Sequence, residues 1–272
     1  VLPMQLREIL EPATFEGLRE SMLHDTPIEG VVHREKFLFK TIDGIELEGM
    51  RFVQNWESPT VIIFNPNADC FESFAQSGDN ILKGLLRGGV NVVVFNYCGV
   101  GGSNKWIRAT RNRLINSGVA AIEVVRDKFG VPEPKILAYG SSLGGLIAWK
   151  SVSRFKGGVG VCAERSPGDL KQEVDHIVSQ VLADPRAPSL SLRQKSCVRR
   201  IISCCMSCLC WDLRIHQNGE RISGVEMSVE HPQDSFVPPG VCIKAPHQVI
   251  MEGGGGDNAH SSPLTNDELG VV

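Results

Sequence analysis

The stretch KILAYGSSLGG, residues 135–145, decides the fold. Its first half is an apolar run that predicts a strand over 135–139, and its second half matches G-x-S-x-G with Ser142 in the middle. A helix is predicted to follow, from Ser142 to Phe155. The glycines allow a tight strand-to-helix turn in which the Ser142 hydroxyl projects over the sheet edge. A glycine-rich turn without chemistry is the alternative, and the flanking strand and helix favour the nucleophile.

Strands and helices alternate on both sides of this stretch. A hairpin is predicted around Asp43-Gly44 within residues 36–52. Further strands are predicted at residues 60–64, 91–95, 158–162, 224–229 and 248–252, and further helices at 71–88, 107–129 and 239–245. Apolar runs without polar alternation are typical of strands buried on both faces. The sequence therefore predicts an α/β fold with a mostly parallel central sheet flanked by helices.

Three regions are expected along the chain. Residues 1–35 predict a helical N-terminal extension, residues 36–165 together with 218–272 predict the core, and residues 166–217 predict a Cys-rich helical insertion. About fifty residues between two strands is more than a crossover needs, so this insertion is expected to form a cap or lid over the carboxyl ends of the strands.

Composition excludes several classes of protein. The 272 residues carry 28 Lys and Arg against 31 Asp and Glu, a net charge of -3, which predicts no nucleic-acid partner. The longest apolar run, Ile201 to Trp211, is about half of the roughly 20 residues that a membrane-spanning helix needs. Nine cysteines make an odd count for a disulfide framework and favour a reducing compartment, with the cytoplasm as the expected location.

A cluster of cysteines and basic residues in the insertion allows three interpretations. It contains Arg193, Lys195, Cys197, Arg199, Arg200, Cys204, Cys205, Cys208 and Cys210. Zinc binding is weakly indicated, because Cys205 and Cys208 have no second pair at the usual spacing. An amphipathic cap helix in which cysteine packs as a small hydrophobe is favoured. Reversible S-acylation beside a basic patch, with peripheral membrane contact, is the third interpretation.

Several stretches between Lys36 and His260 resemble the α/β-hydrolase superfamily. Besides the G-x-S-x-G motif they are NPNA (65–68), NYCGVGGS (96–103), ERS (164–166), HPQDSFVP (231–238) and the glycine-rich GGGGDNAH (253–260). Within the superfamily the NPNA, NYCGVGGS and ERS stretches are similar to the predicted hydrolases of the chlamydial CHLPS type. The resemblance implies an α/β-hydrolase fold.

The same resemblance implies a Ser-His-Asp triad. Ser142 matches the nucleophile, Asp234 the acid and His260 the base, in the order of the superfamily. Asp234 also suits the cap of the helix predicted near Pro239. The oxyanion donors are expected to be the backbone N–H of Leu143 and that of Asn67 or Ala68, because Pro66 stands where glycine is common.

The function predicted from these residues is hydrolysis of a carboxylic ester or thioester, on a lipid or other acylated substrate. An apolar acyl channel is expected to involve Met206, Leu209 and Trp211 of the insertion. No metal and no organic cofactor is implied, and the oligomeric state is left open. A catalytically silent scaffold that acts as a binding or effector module is the alternative, since fold does not determine function.

Overall fold

One mixed sheet organises the described part of the chain. The computed structural model describes residues 17–22, 30–67, 69–76, 81–103, 107–183, 191–208, 213–215, 221–251 and 260. Within these residues the strands are β1 (His33–Lys40), β2 (Glu46–Val53), β3 (Thr60–Phe64), β4 (Asn91–Phe95), β5 (Ile136–Ser141), β6 (Gly160–Glu164), β7 (Glu226–Glu230) and β8 (His247–Ile250). Their order in the sheet is β1-β2-β4-β3-β5-β6-β7-β8.

Strand direction confirms the predicted fold class. The hairpin of β1 and β2 pairs antiparallel, and β2 joins β4 antiparallel. From β4 to β8 the neighbouring strands are parallel. Every residue of β3, β4 and β6 is buried, as expected for strands covered on both faces. The parallel strands therefore present their carboxyl ends along one edge, where their loops meet.

The helices among the described residues cover both faces of the sheet. They are α1 (Ser73–Gln76), α2 (Ile81–Arg87), α3 (Arg111–Glu123), α4 (Leu143–Val152), α5 (Leu170–Ala183) and α6 (Leu192–Cys208). On one face α3 and α4 pack on the strands through a core that includes Leu114, Leu146 and Trp149. On the other face α2 packs through Leu82 and Leu86. Each face of the sheet thus has its own apolar cluster.

Two predicted helices differ in form from the prediction. The stretch 71–88 holds α1 and α2, and the stretch 107–129 begins its helix at Arg111 and ends in a π-helical turn, Val124–Lys128. The prediction of a helix near 239–245 is wrong. Those residues form a turn, in which the N–H of Val241 donates to Pro238 O, and the N–H of Ile243 donates to Ser166 O. After this one local turn, the backbone groups pair with the distant loop at 166–168 instead of continuing a helix.

The predicted insertion contains α5 and α6, and residues 17–22 of the predicted extension are helical. The division into an extension, a core and an insertion stays a prediction. Asp169 caps α5, since its Oδ1 accepts the N–H groups of Lys171 and Gln172 at 2.8 and 3.2 Å. None of the helices within the described residues is both long enough and apolar enough to cross a bilayer.

The N-terminal turn of α4 packs directly on the end of β3. A Cβ atom on Gly144 would overlap the carbonyl oxygen of Phe64 and lie 2.6 Å from that of Asn65. Both neighbours are backbone atoms, which cannot move aside as a flexible side chain can. The close approach therefore requires glycine at this position.

This contact predicts the effect of one methyl group. Gly144→Ala should lower the free energy of unfolding by about 1–3 kcal/mol or more, because the overlap displaces backbone. Chemical denaturation of the purified variant measures the loss. Gly240→Ala is the matched control, since nothing lies within 4 Å of a Cβ placed there. Equal stability of the two variants would contradict the proposed contact.

Candidate active site

Ser142 lies in a backbone conformation that residues other than glycine rarely adopt. Its φ and ψ are 52° and −126°, and such a residue persists only where its surroundings hold it. The N–H of Ser142 donates to the carbonyl of Glu164 at 2.9 Å, and the Ser142 carbonyl accepts the N–H of Gly145 at 3.1 Å. The turn between β5 and α4 thereby holds the serine at the sheet edge.

The structure brings Ser142 together with the predicted base and acid. Nε2 of His260 lies 3.3 Å from Ser142 Oγ, and Nδ1 of His260 lies 2.7 Å from Oδ2 of Asp234. His260 is 118 positions from Ser142 and 26 from Asp234 in the sequence. The imidazole therefore bridges the hydroxyl and the carboxylate, in the arrangement that a Ser-His-Asp mechanism needs.

Asp234 is both the partner of His260 and the organiser of its own loop. Its Oδ1 accepts the backbone N–H groups of Phe236 and Val237, each at 2.9 Å. Burial raises the pKa of Asp234, but the hydrogen bonds from His260 and from these two N–H groups outweigh it, so the pKa is lowered overall. The helix cap predicted at Asp234 is thus part of a turn, and no helix begins there. The second oxygen stays available to His260.

The residues predicted as oxyanion donors lie at the start of α4 and in the turn after β3, and their role stays a prediction. Leu143 is the first residue of α4, and Asn67 is exposed in the turn after β3. Ala68, the alternative to Asn67, lies outside the described residues. The loop is anchored through Asn65, whose Nδ2 donates to Phe95 O at 2.9 Å and whose carbonyl accepts the Tyr97 hydroxyl at 3.3 Å.

A buried charge cluster lies beneath the same loop. Arg19 Nη2 contacts Glu48 Oε1 at 2.5 Å and Glu72 Oε1 at 2.6 Å. Asn96 Nδ2 donates to both carboxylates, and Asn96 Oδ1 accepts the N–H of Phe71 at 3.0 Å. Burial raises the pKa of Glu48, while the charge of Arg19 lowers it. The N-terminal segment thus supplies the cation for two carboxylates that hold the loop after β3.

The structure does not test the predicted substrate residues of the insertion. Leu209, Trp211 and the side chain of Met206 lie outside the described residues. On α6 the side chains of Cys197, Cys204 and Ile201 are exposed. Wherever the structure describes the chain, no three His, Cys, Asp or Glu side chains are grouped closely enough to hold a metal ion.

Sequence reasoning missed the role of α5. The carbonyl of Ser235, next to Asp234, accepts the side-chain amide of Gln180 at 2.9 Å and contacts Nε2 of His176 at 3.1 Å. Glu173, His176 and Gln180 follow a spacing of three and four residues, which places them on one helix face. That spacing was a readable signal, but the sequence does not indicate which loop the face contacts.

Comparison with known proteins gives a family and a fold. A sequence model of the family described as Chlamydia CHLPS protein (DUF818) matches residues 39–237. The matched stretch includes Ser142 and Asp234 and ends before His260. No curated protein is significantly similar in sequence.

Several solved structures are similar in fold at low sequence identity. An esterase of Pyrococcus furiosus superposes with a TM-score of 0.55 at 18% identity, covering 79% of this chain and 76% of the esterase. An α/β-hydrolase of Penicillium sp. sh18 gives 0.56 at 15%, covering 85% and 93%. An α/β-hydrolase of Vibrio vulnificus gives 0.59 at 14%, covering 84% and 79%. Likeness at this identity establishes the α/β-hydrolase fold alone.

The charge cluster around Arg19 yields a stability prediction. Arg19→Met should cost about 3–5 kcal/mol of unfolding free energy, because it leaves two buried carboxylates without their cation. Thermal and urea unfolding give the value. Arg108→Ala is the matched control, since it removes the same charge from an exposed side chain. A loss below about 1 kcal/mol, typical of an exposed ion pair, would contradict this role of Arg19.

Proposed function

The chain belongs to the Chlamydia CHLPS protein (DUF818) family and has the α/β-hydrolase fold, and on that basis we propose that it is a serine hydrolase of carboxylic esters or thioesters. Hydrolysis proceeds in this proposal through an acyl-enzyme on Ser142. One observation carries the proposal: the unbroken chain of contacts from Ser142 Oγ through His260 to Asp234. A structural role alone would not require a hydroxyl, an imidazole and a carboxylate in this order.

The mechanism follows from the atoms in contact. Nε2 of His260 accepts the proton of the Ser142 hydroxyl as the oxygen attacks the substrate carbonyl. Nδ1–H of His260 donates to Asp234, whose lowered pKa keeps it an ionised acceptor. The charge of Asp234 stabilises the imidazolium that forms. His260 then gives the proton to the leaving alcohol or thiol, and water attacks the acyl-enzyme by the reverse proton route.

Negative charge on the carbonyl oxygen is expected to face the N-terminus of α4. There the backbone N–H of Leu143 and an N–H at position 67 or 68 would donate to the oxyanion. The contact between Gly144 and the end of β3 supports this arrangement, because it fixes the distance between the two loops that carry the donors.

The choice of esters and thioesters rests on how readily their leaving groups depart and on the structural similarity to an esterase. An alcohol or thiol leaves more readily than an amine, so this triad suffices for them without further activation. The Pyrococcus furiosus neighbour is an esterase, which supports the same class. A silent scaffold would instead need only the fold, and reactivity of Ser142 distinguishes the two proposals.

Labelling with a fluorophosphonate probe tests whether Ser142 is activated. The wild type should form a stable adduct at Ser142, and the Ser142→Ala variant should form none, because the probe requires an activated serine. Mass spectrometry of the labelled peptide identifies the site. Ser141→Ala is the matched control and should label normally. A folded wild type without adduct would favour the silent scaffold.

Replacement of the acid tests the proton route. Asp234→Asn keeps an oxygen for the N–H groups of Phe236 and Val237, but its NH2 group then faces His260 and cannot accept the hydrogen bond from Nδ1–H. By analogy with other triads the variant should lose on the order of 10⁴ in kcat on a nitrophenyl ester while remaining folded. Asp127→Asn, at an exposed site, should retain full activity. Retention of most activity by Asp234→Asn would mean that another group acts as the acid.

A further inference from the structure

A buried glutamate of α5 lies beside the proposed triad. Glu173 is 8% exposed. Burial raises the pKa of Glu173 to about 7, the charge of His260 lowers it, and the charge of Asp234 raises it. The geometry agrees with these effects, since Glu173 shares a face of α5 with His176 and Gln180, whose side chains contact the carbonyl of Ser235 next to Asp234. Glu173 therefore lies on the side of α5 that faces the loop carrying the acid.

Within the described residues, Glu173 differs from the other buried glutamates in having no ion-pair partner. Among the residues that the structure describes, the buried glutamates are Glu48, Glu72, Glu164, Glu173 and Glu230. Four of them have an ion-pair partner: Arg19 for Glu48 and Glu72, Arg165 for Glu164, and Lys244 for Glu230. The Glu173 carboxyl makes no hydrogen bond or ion pair in the described part of the chain. A buried carboxylate without a partner is costly, so it is rarely present without a reason.

The carboxyl oxygens of Glu173 are not sealed inside the protein. Some buried polar atoms of the described residues have neither a hydrogen-bond partner nor contact with solvent, and the Glu173 oxygens are not among them. Since they also lack a partner among the described residues, they retain some contact with solvent. The Glu173 side chain is thus more than nine-tenths buried, is reachable at its oxygens, and lies on the helix face that contacts the loop of Asp234.

Among the described residues, the charge that acts on Glu173 includes a second carboxylate, that of Asp234. Two basic side chains of the same part of the sequence are engaged with other carboxylates, since Lys244 contacts Glu230 at 2.6 Å and Arg214 contacts Asp169 at 3.2 Å. A site of this sign attracts a positive group and rejects a negative one. A cation on the ligand would supply the partner that Glu173 lacks.

We propose that Glu173 is a substrate-binding residue that selects esters or thioesters carrying a positively charged amine near the scissile carbonyl. This inference rests on the proposed hydrolase function. Glu173 takes no part in proton transfer. It stabilises the bound substrate by an ion pair in a partly desolvated site, where such a pair is stronger than at an open surface.

Two pairs of substrates, each matched in shape, test the proposal. On the leaving-group side, acetylthiocholine is compared with 3,3-dimethylbutyl thioacetate, in which a neutral tert-butyl group replaces the trimethylammonium group. The 4-nitrophenyl ester of 4-(trimethylammonio)butanoate is compared with that of 5,5-dimethylhexanoate on the acyl side. Quaternary ammonium is used because a primary amine would attack its own ester. Assays run at pH 8, above the pKa of Glu173, where its carboxyl is ionised.

The wild type should prefer the cationic member of at least one pair by about tenfold or more in kcat/KM. In Glu173→Gln this ratio should fall to about one, mainly because kcat/KM of the cationic member drops. Asp175→Asn is the matched control, because it removes the same charge two positions away on α5, and it should keep the wild-type ratio. Each ratio is taken within one variant, so a partly unfolded fraction cancels.

Other outcomes overturn the inference. The absence of a cationic preference in both pairs, or a preference that survives in Glu173→Gln, would show that Glu173 does not bind the substrate cation. An equal loss on both members of a pair would assign Glu173 to support of the triad instead.

Binding separates this failure from failure of the proposed hydrolase function. Calorimetric titration of the same four esters into Ser142→Ala does not depend on turnover. If no ester is hydrolysed and no probe labels Ser142, but the cationic esters still bind more tightly and Glu173→Gln removes the difference, the hydrolase function fails and the cation site stands. Equal binding of both members of each pair would refute the site.

Discussion

The left-handed backbone of Ser142 is the constraint on which the site depends. A residue with a side chain adopts such a conformation at a cost, and the surrounding backbone must impose it. Three glycines make this possible, because a Cβ atom at position 140, 144 or 145 would collide with neighbouring atoms. Strand β5, the end of β3 and the loop after β6 therefore meet at one turn. The rest of the sheet serves to hold these three elements in register.

Buried charge is distributed unevenly over the molecule. Beneath the loop after β3 the carboxylates of Glu48 and Glu72 share Arg19, so the chain itself compensates their charge. On α5, by contrast, the buried carboxyl of Glu173 has no such partner among the described residues. Stability and recognition thus draw on the same side-chain type, and the difference is whether the cation comes from the chain or from the ligand.

Elements that depend on local pattern could be predicted, and those that depend on distant partners could not. Continuous apolar runs predicted the buried strands, and the glycines around Ser142 predicted its turn, because both effects act within a few residues. The helix expected near 239–245 failed because backbone groups there pair with residues near Ser166. The contacts of α5 with Ser235 and of Arg19 with Glu72, 53 positions away, leave no local trace. The triad residues could be named from the resemblance to a family, whereas their spacing in the sequence alone would not have identified them.

The ion cluster of Arg19 has a consequence for the order of folding. Arg19 can form its ion pairs only once Glu48 and Glu72 are in place, and these residues lie 29 and 53 positions later in the sequence. The strand before Asn96 must also have formed. Contacts of such separation carry a loop-closure cost. Until the N-terminal segment docks, the folding chain holds two carboxylates that stay hydrated or protonated. Docking of this segment is therefore expected to be an acid-sensitive folding step that follows the pairing of β2 with β4, because that pairing brings Glu48 and Asn96 together.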